Sequence, residues 1–185
     1  MSEPHYLFPK RYSDFVQRFR VASGFLLLIV FAWLPAPTRA SLIEGLSIAV
    51  GGLWLRGWAA GHLAKNEQLA ISGPYAYMRN PLYAGTLIAA LGMVIAARSV
   101  WLGVLFAVVF LVVYLPAIEL EEQHLRAIFP EYAMYAERVR RFLPVAKWQG
   151  QPTRFSWKRY WRNEEYKAAA GFLIAASWLV IRFRS

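Results

Sequence analysis

The fold class this sequence predicts is all-α: a polytopic integral membrane protein of about five transmembrane helices with cytoplasmic amphipathic helices. Three observations predict it. The chain is 58% hydrophobic and 17% charged over 185 residues, too apolar for an ordinary soluble domain. The apolar residues are also gathered into runs. Eighteen residues without a charge lie between Arg20 and Arg39, eighteen between Arg79 and Arg98, and twenty between Arg98 and Glu119. A helix needs roughly 20 residues to cross about 30 Å of hydrocarbon, so each run is a span candidate. Finally, with the N-terminus cytoplasmic, sixteen Lys and Arg fall in connections on that side and four on the other, a positive-inside bias. The competing reading, a soluble helical bundle, has to accommodate three such runs in one core.

The elements follow in order. The first span lies between Arg20 and Arg39. No small-residue cleavage site follows it, so it is expected to remain in the protein. The loop Pro35-Ala36-Pro37-Thr38-Arg39 is short and stiff and suits a tight helical hairpin. The second span, Ser41–Leu63, carries Glu44 near one end and Arg56 inside. An intramembrane charge is by default a functional candidate; snorkelling, or pairing with Glu44 or a backbone carbonyl, is the plain alternative. The third span begins at Leu82, and the turn Ala97-Arg98-Ser99 sends the fourth back antiparallel to it. Glu119–Phe129 should carry the fourth helix into water, with Leu125, Ile128 and Phe129 on one face. Pro130 stops that helix and can open the next, where Tyr132, Tyr135 and Val139 recur with amphipathic spacing.

The stretch Lys147–Lys167 mixes Trp148, Phe155, Trp157, Tyr160 and Trp161 with Arg154, Lys158, Arg159 and Arg162. Such interleaving can stack single-stranded nucleic acid. Immediately before an apolar span it reads instead as an interfacial belt against the lipid bilayer, and no nucleic-acid partner is expected. Ala168–Ile181 is the fifth span, only 14 residues, which reaches across if Lys167 and Arg182 snorkel. The chain is then a single domain, 1–185, with connections 64–81 and 119–167 on the cytoplasmic face of a bacterial inner membrane and the C-terminus outside.

The usual catalytic motifs are missing from the sequence. There is no cysteine, and His5, His62 and His124 lack ligand spacing, so no metal site is expected. No GxGxxG, Walker or GxSxG pattern occurs. Two polar clusters remain. One is Glu67–Tyr83, with Tyr75, Tyr77, Arg79, Asn80 and Tyr83; the other is Glu119, Glu121 and Glu122 with Arg138, Arg140 and Arg141. A hairpin of spans three and four brings Pro81 and Glu121 to the same open end. Arg79, Asn80 and the tyrosines would then face the glutamates across a small cavity. Alternatively, Glu121 and Glu122 are solvated helix-end charges and the tyrosines an interfacial belt.

The ordered set Gly73-Pro-Tyr75-x-Tyr77-x-Arg79-x-Pro81-x-Tyr83-x-Gly85, Glu121-Glu122-x-x-Leu125-x-x-x-Phe129, Tyr132-x-x-Tyr135 and Arg141-Phe142-Leu143-Pro144 resembles the isoprenylcysteine carboxyl methyltransferase family. That family is part of a wider group that includes membrane phospholipid N-methyltransferases. The resemblance covers residues 65–144; the flanks, including the first two spans and the last span of the C-terminal segment 147–182, match only as apolar helices. The resemblance implies an S-adenosyl-L-methionine site at the cytoplasmic face and a lipophilic methyl acceptor entering from the bilayer. The cofactor residues it implies are Glu67, Gln68, Leu69, Ala70, Tyr75, Asn80, Pro81, Leu82, Tyr83 and Glu121. Asn80 stands where family members usually have histidine, and it cannot carry positive charge. Ala117 stands where relatives often carry a substrate-associated arginine, leaving Arg79, Arg56 or Arg138 as candidate catalytic counter-charges. Methyl transfer from a sulfonium mainly requires alignment and exclusion of water, so the absence of triad and metal motifs is compatible with it. The resemblance favours carboxyl O-methylation. Phospholipid N-methylation, a nicotinamide-dependent membrane reductase and a catalytically silent lipid-binding relative are the alternatives.

Overall fold

A computed structural model of the protein describes Phe8, residues 10–144 and residues 153–184. His5 and the Lys147–Trp148 start of the aromatic belt lie outside the described residues. Among those residues the regular structure is entirely helical: α1 (Lys10–Trp33), α2 (Arg39–Ala60), a 3-10 turn (Gly73–Ala76), α3 (Pro81–Ala97), α4 (Val100–Val109), a π-turn (Phe110–Tyr114), α5 (Leu115–Ile128), α6 (Tyr132–Arg138), α7 (Trp157–Arg162) and α8 (Tyr166–Arg184).

Local chemistry sets the boundaries. Thr38 and Ser41 form a reciprocal capping box at the start of α2, with bonds of 3.2 and 2.9 Å, satisfying donors that a helix start leaves open. Pro81 opens α3, where the missing N–H costs nothing. Arg98 closes it in the left-handed region at φ 51, and Ser99 caps α4 through Leu102 N. Pro116 lacks an N–H inside what is otherwise one helix from Val100 to Ile128. The π-turn just before it, with Leu115 N–H reaching Phe110 O, takes up the interruption.

Two helices are long and apolar enough to cross a bilayer, Val100–Ile128 and Tyr166–Arg184. The segments Ala22–Trp33 and Pro81–Ala97 are apolar but shorter. The last apolar segment is longer than its charge-free run, 19 residues in α8, because helix continues through Tyr166, Lys167 and Arg182.

The closest packing is between α2 and α3, which run antiparallel. Gly45, Ala49 and Gly52 of α2 face Gly92, Ala89 and Gly85 of α3. A Cβ added at Gly52 would stand 2.6 Å from Gly85 O, and one at Gly85 would stand 2.7 Å from Gly52 O. The two backbones therefore touch, as small residues spaced along a helix face permit. Sequence reasoning passed over this spacing. Ser41 Oγ adds a 3.1 Å bond to Ala96 O at the far end of the seam.

The expected hairpin of the first two helices is not formed along their length. With α2's small-residue face occupied by α3, α1 packs instead beside α4, the π-turn and α5. Val16 meets Val109 and Val113, and Tyr12 Oη donates to Val112 O at 3.1 Å. The Pro35–Pro37 linker is tied to the end of α3 by Ala36 N–H to Ala97 O, 3.0 Å. At the other end of the bundle, α5 ends at Ile128, one residue short of the expected Phe129, which is its C-cap in extended conformation. Leu125 and Phe129 join Leu69, Ile71, Tyr132, Tyr135 and Val139 in one cluster, whereas Ile128 lies outside it, 38% exposed. The next helix opens at Tyr132 rather than at Pro130, after a turn through Pro130 and Glu131.

Gly52→Val should lower the thermal unfolding midpoint in detergent, by the equivalent of about 1–3 kcal/mol or more for overpacking. Gly51→Ala is the adjacent control: a Cβ there meets nothing within 4 Å, and the midpoint should hold or rise.

Candidate active site

The loop between α2 and α3 is shaped by His62 and Gly73. His62 is buried, donates from Nδ1 to Trp58 O at 3.0 Å, and meets Trp58 and Phe155 edge-on. Gly73 has φ +60, and a Cβ there would fall 2.7 Å from the His62 ring, so both conformation and space require glycine. The turn that follows buries Pro74, Tyr75 and Ala76. Tyr135 Oη fastens it by donating to Tyr75 O at 2.7 Å.

Next comes a buried ionic cluster around Glu122. Asn80 Nδ2 donates to Glu122 Oε1 at 2.9 Å and Arg79 Nη1 to Oε2 at 3.3 Å. Arg141 donates from Nε at 3.2 and 3.1 Å and from Nη2 at 3.0 Å. The backbone N–H groups of Arg79 and Asn80 bond Arg140 O and Arg141 O at 2.8 and 3.1 Å. Glu119, fully buried, accepts from Phe8 N at 3.1 Å and lies 3.8 Å from Arg141 Nη2. Two carboxylates thus meet two guanidiniums, which is how charges survive burial. Among the described residues, Arg79 Nε, Glu119 Oε2 and the Tyr132 hydroxyl are buried outside good hydrogen-bond geometry, the hydroxyl next to the Arg79 guanidinium.

Glu122 is therefore not the solvated helix-end charge that one sequence reading allowed. Nor do Arg79 and Asn80 face it across a cavity; they bond it directly. Adjacent helix positions point about 100° apart, so Glu121 looks outward while Glu122 looks in. Glu121 is exposed and accepts from Tyr83 Oη at 2.9 Å. Behind this pair, Tyr83 packs edge-on against Tyr114, Tyr114 stacks on Phe110, and Phe110 contacts Phe142. Beside the ionic cluster lies a shallow hollow of about 370 Å³, bordered by Arg79, Glu137, Arg140, Arg141, Phe142 and Leu143.

Burial raises the Tyr75 hydroxyl's pKa well above its ordinary value, aided by the negative charges of Glu121 and Glu165 and opposed by Arg56. Tyr132 and Tyr135 are pushed up likewise, chiefly by burial, with Arg79 opposing. For Arg141 burial acts to lower the pKa, but the bonds and charge of Glu122 and the charge of Glu119 outweigh it and raise it.

The fold thus sets Tyr83 against Glu121, with Pro81 and Asn80 buried beside them. Glu67 turns the other way, pairing with Arg162 at 2.8 Å; Gln68 is exposed, Ala70 is half-buried, and Leu69 packs against the Tyr132–Tyr135 cluster. Arg138 is exposed on α6. Arg56 does not pair with Glu44: it holds Glu165 through Nε at 2.5 Å and Nη2 at 3.0 Å. It also reaches the Leu82 carbonyl at 3.4 Å and the Thr86 hydroxyl. Three residues central to this arrangement, Glu122, Arg141 and Glu165, were not among the expected cofactor or catalytic residues, although Glu122 and Arg141 belonged to the second polar cluster. The first two stood inside the quoted motifs; Glu165 carried no sequence signal.

Residues 19–132 match the family model described as phospholipid methyltransferase. The chain is also similar to the cobalt-zinc-cadmium resistance protein CzcN of Cupriavidus metallidurans, 36% identical over 111 residues, covering 59% of this chain and 50% of that protein. The nickel-cobalt-cadmium resistance protein NccN of Alcaligenes xylosoxydans xylosoxydans is 31% identical over 113 residues, covering 60% and 52%. The chain spans about half the length of these curated relatives. No solved structure matches it.

Glu122→Gln should cost about 3–5 kcal/mol in thermal or denaturant unfolding, because it leaves guanidinium charge buried without its counter-charge; Glu121→Gln should cost far less. A tyrosine whose folded pKa is raised lends stability in full below its unfolded value of 10.0, and loses it as pH climbs above that. Titration at 295 nm with circular dichroism should show Tyr75, Tyr132 and Tyr135 ionising only as the protein unfolds. Tyr135→Phe, which loses the bond to Tyr75 O, should cost about 1 kcal/mol.

Proposed function

The chain belongs to the phospholipid methyltransferase family, and from that premise we propose a membrane methyltransferase that uses S-adenosylmethionine to methylate a lipophilic acceptor. The observation that carries the finer reading is the exposed Tyr83–Glu121 pair, joined across α3 and α5 within the family-matched residues. The residues present fit the cofactor. Glu121 is an exposed carboxylate able to accept from ammonium or ribose hydroxyl groups, Tyr83 supplies a hydroxyl, and Tyr83 and Tyr114 offer ring surface beside them. Tyr75, Asn80, Pro81 and Leu82 support this pair, and Glu67–Ala70 precede it on the same connection. When bound, S-adenosylmethionine supplies an electrophilic methyl carbon on its sulfonium. The protein's task is to hold donor and acceptor in line and to keep water out.

Five membrane crossings are proposed: α1, α2, α3, the continuous α4–α5 helix, and α8. Large apolar side chains are exposed along all of them, among them Phe25 and Ile29, Ile43 and Trp54, Leu91, Val108 and Leu111, and Leu173 and Ile174. So much exposed apolar surface suits lipid rather than water. The positive-inside rule then puts Glu121, Tyr83 and both polar connections on the cytoplasmic face of a bacterial inner membrane.

Carboxyl O-methylation, of the isoprenylcysteine type, is the preferred reaction. Ala117 supplies no cation, and Arg56 and Arg79 are engaged by Glu165 and Glu122. The hollow next to the cluster nevertheless presents Arg140, which suits an acceptor carboxylate better than an amine. The metal-resistance names of the two relatives extend to this chain as a physiological setting for the methylation.

Calorimetry of the detergent-purified protein should show saturable binding of S-adenosylhomocysteine and none of NADPH. Glu121→Gln should weaken that binding at least tenfold, about 1.4 kcal/mol, with little change in thermal stability. Binding of NADPH alone would sink the methyltransferase reading in favour of a reductase.

A further inference from the structure

Residues 153–165 lie beyond the family-matched residues 19–132, yet they hold the α2–α3 connection at point after point. Ser156 N–H donates to Gly61 O at 2.9 Å. Asn163 Nδ2 donates to Ala60 O, a carbonyl at the end of α2, and to Leu63 O in the connection, both at 2.9 Å. Ser72 and Thr153 share a hydroxyl hydrogen bond. Phe155 packs so closely on Gly61 that a Cβ there would overlap its ring.

The deepest of these ties is ionic. Glu165, 7% exposed, is gripped by Arg56 through two parallel N–H···O bonds, a fork geometry that lysine cannot reproduce. The remaining guanidinium nitrogen, Nη1, points to α3, where it donates to Leu82 O and Thr86 Oγ1. Thr86 Oγ1 donates to the same carbonyl at 2.9 Å. Leu82 is followed by Tyr83, whose hydroxyl meets Glu121. A pair serving only to join the α7–α8 turn to α2 would not need this third bond.

We propose that Arg56 and Glu165 are positioning residues for the methyl-transfer site, through which segment 153–165 clamps the first turn of α3 and so sets Tyr83 against Glu121. This rests on the cofactor reading above for its functional consequence, but not for the clamp itself. Arg56 is then not a free counter-charge for substrate. Its charge is spent on Glu165, and its effect reaches the site through Leu82. The electrostatic influence of both residues on buried Tyr75 is consistent with a pair lying next to the site.

The test replaces the pair by apolar residues of similar size, Arg56→Met with Glu165→Leu. Such exchanges of a buried ion pair are often neutral for stability, so the double variant separates gluing from positioning. Hydrogen exchange is followed in residues 79–90 without cofactor, and S-adenosylhomocysteine binding by calorimetry. The expected result is a thermal midpoint near that of the wild type, faster exchange in residues 79–90, and affinity lowered at least tenfold. Exchange unchanged in residues 79–90, or affinity equal to that of the wild type, overturns the proposal. Should the double variant not fold, Arg56→Lys is read the same way: it keeps the charge opposite Glu165 and loses the Nη1 bonds to α3. Should the wild type bind no S-adenosylhomocysteine, the cofactor reading falls, and the exchange comparison alone decides the clamp.

Discussion

Burying the Glu122 carboxylate is the constraint on which the polar end of this bundle depends. An ion of this kind carries a desolvation cost of several kcal/mol unless it is fully met by charge and hydrogen bonds. Here Arg79, Asn80 and Arg141 meet it. Those partners come from two segments far apart in the chain, and the carboxylate comes from a third, so its burial compels all three to converge. The backbone bonds from Arg79 and Asn80 to Arg140 and Arg141 follow from the same convergence. Asn80 fits this role as it stands: an amide donor next to a carboxylate already opposed by two guanidiniums adds a bond without adding charge.

The apolar part of the bundle rests on a different principle. Between α2 and α3 there is almost no side-chain volume, and the helices are held by direct approach of their backbones at Gly45, Gly52, Gly85 and Gly92. That rigid pair carries Arg56 on one helix and the Leu82–Tyr83 turn on the other. Whatever fixes the sliding of one helix against the other therefore also fixes the spacing at the site. Glu165 acts at this point, through Arg56 to Leu82 O. The start of α3 is thus held twice, by the ion cluster through Arg79 and Asn80 just before it and by the ion pair through Leu82 O.

Much of the fold was legible in the residues. Charge-free runs and prolines located the long helices, because those signals act within a few residues of one another. A stop just before Pro130 and the Tyr132–Tyr135–Val139 face follow from the proline and from helical spacing. Partner choice was less legible. The stiff Pro35–Pro37 linker suggested that α1 would lie along α2, but glycine on α2 allowed a closer neighbour, and α1 went to the π-turn and α5 instead. At the site, the motifs brought Tyr83 and Glu121 together correctly. They did not distinguish Glu121 from Glu122, since which of two adjacent carboxylates points inward is a matter of helix rotation.

The sequence by itself determined the helical class, the polar segments that punctuate the apolar runs, and the family to which residues 19–132 belong. These depend on local composition and on motif order. Only the tertiary structure decided that Glu122 is the buried hub and Glu121 the exposed one, that α2 takes α3 as its closest partner, and that Arg56 is answered by Glu165 from 109 positions away. The physical reason is the same in each case. A charge or a glycine states a requirement, for a counter-ion or for a close neighbour, but many residues could satisfy it, and only packing selects the one that does.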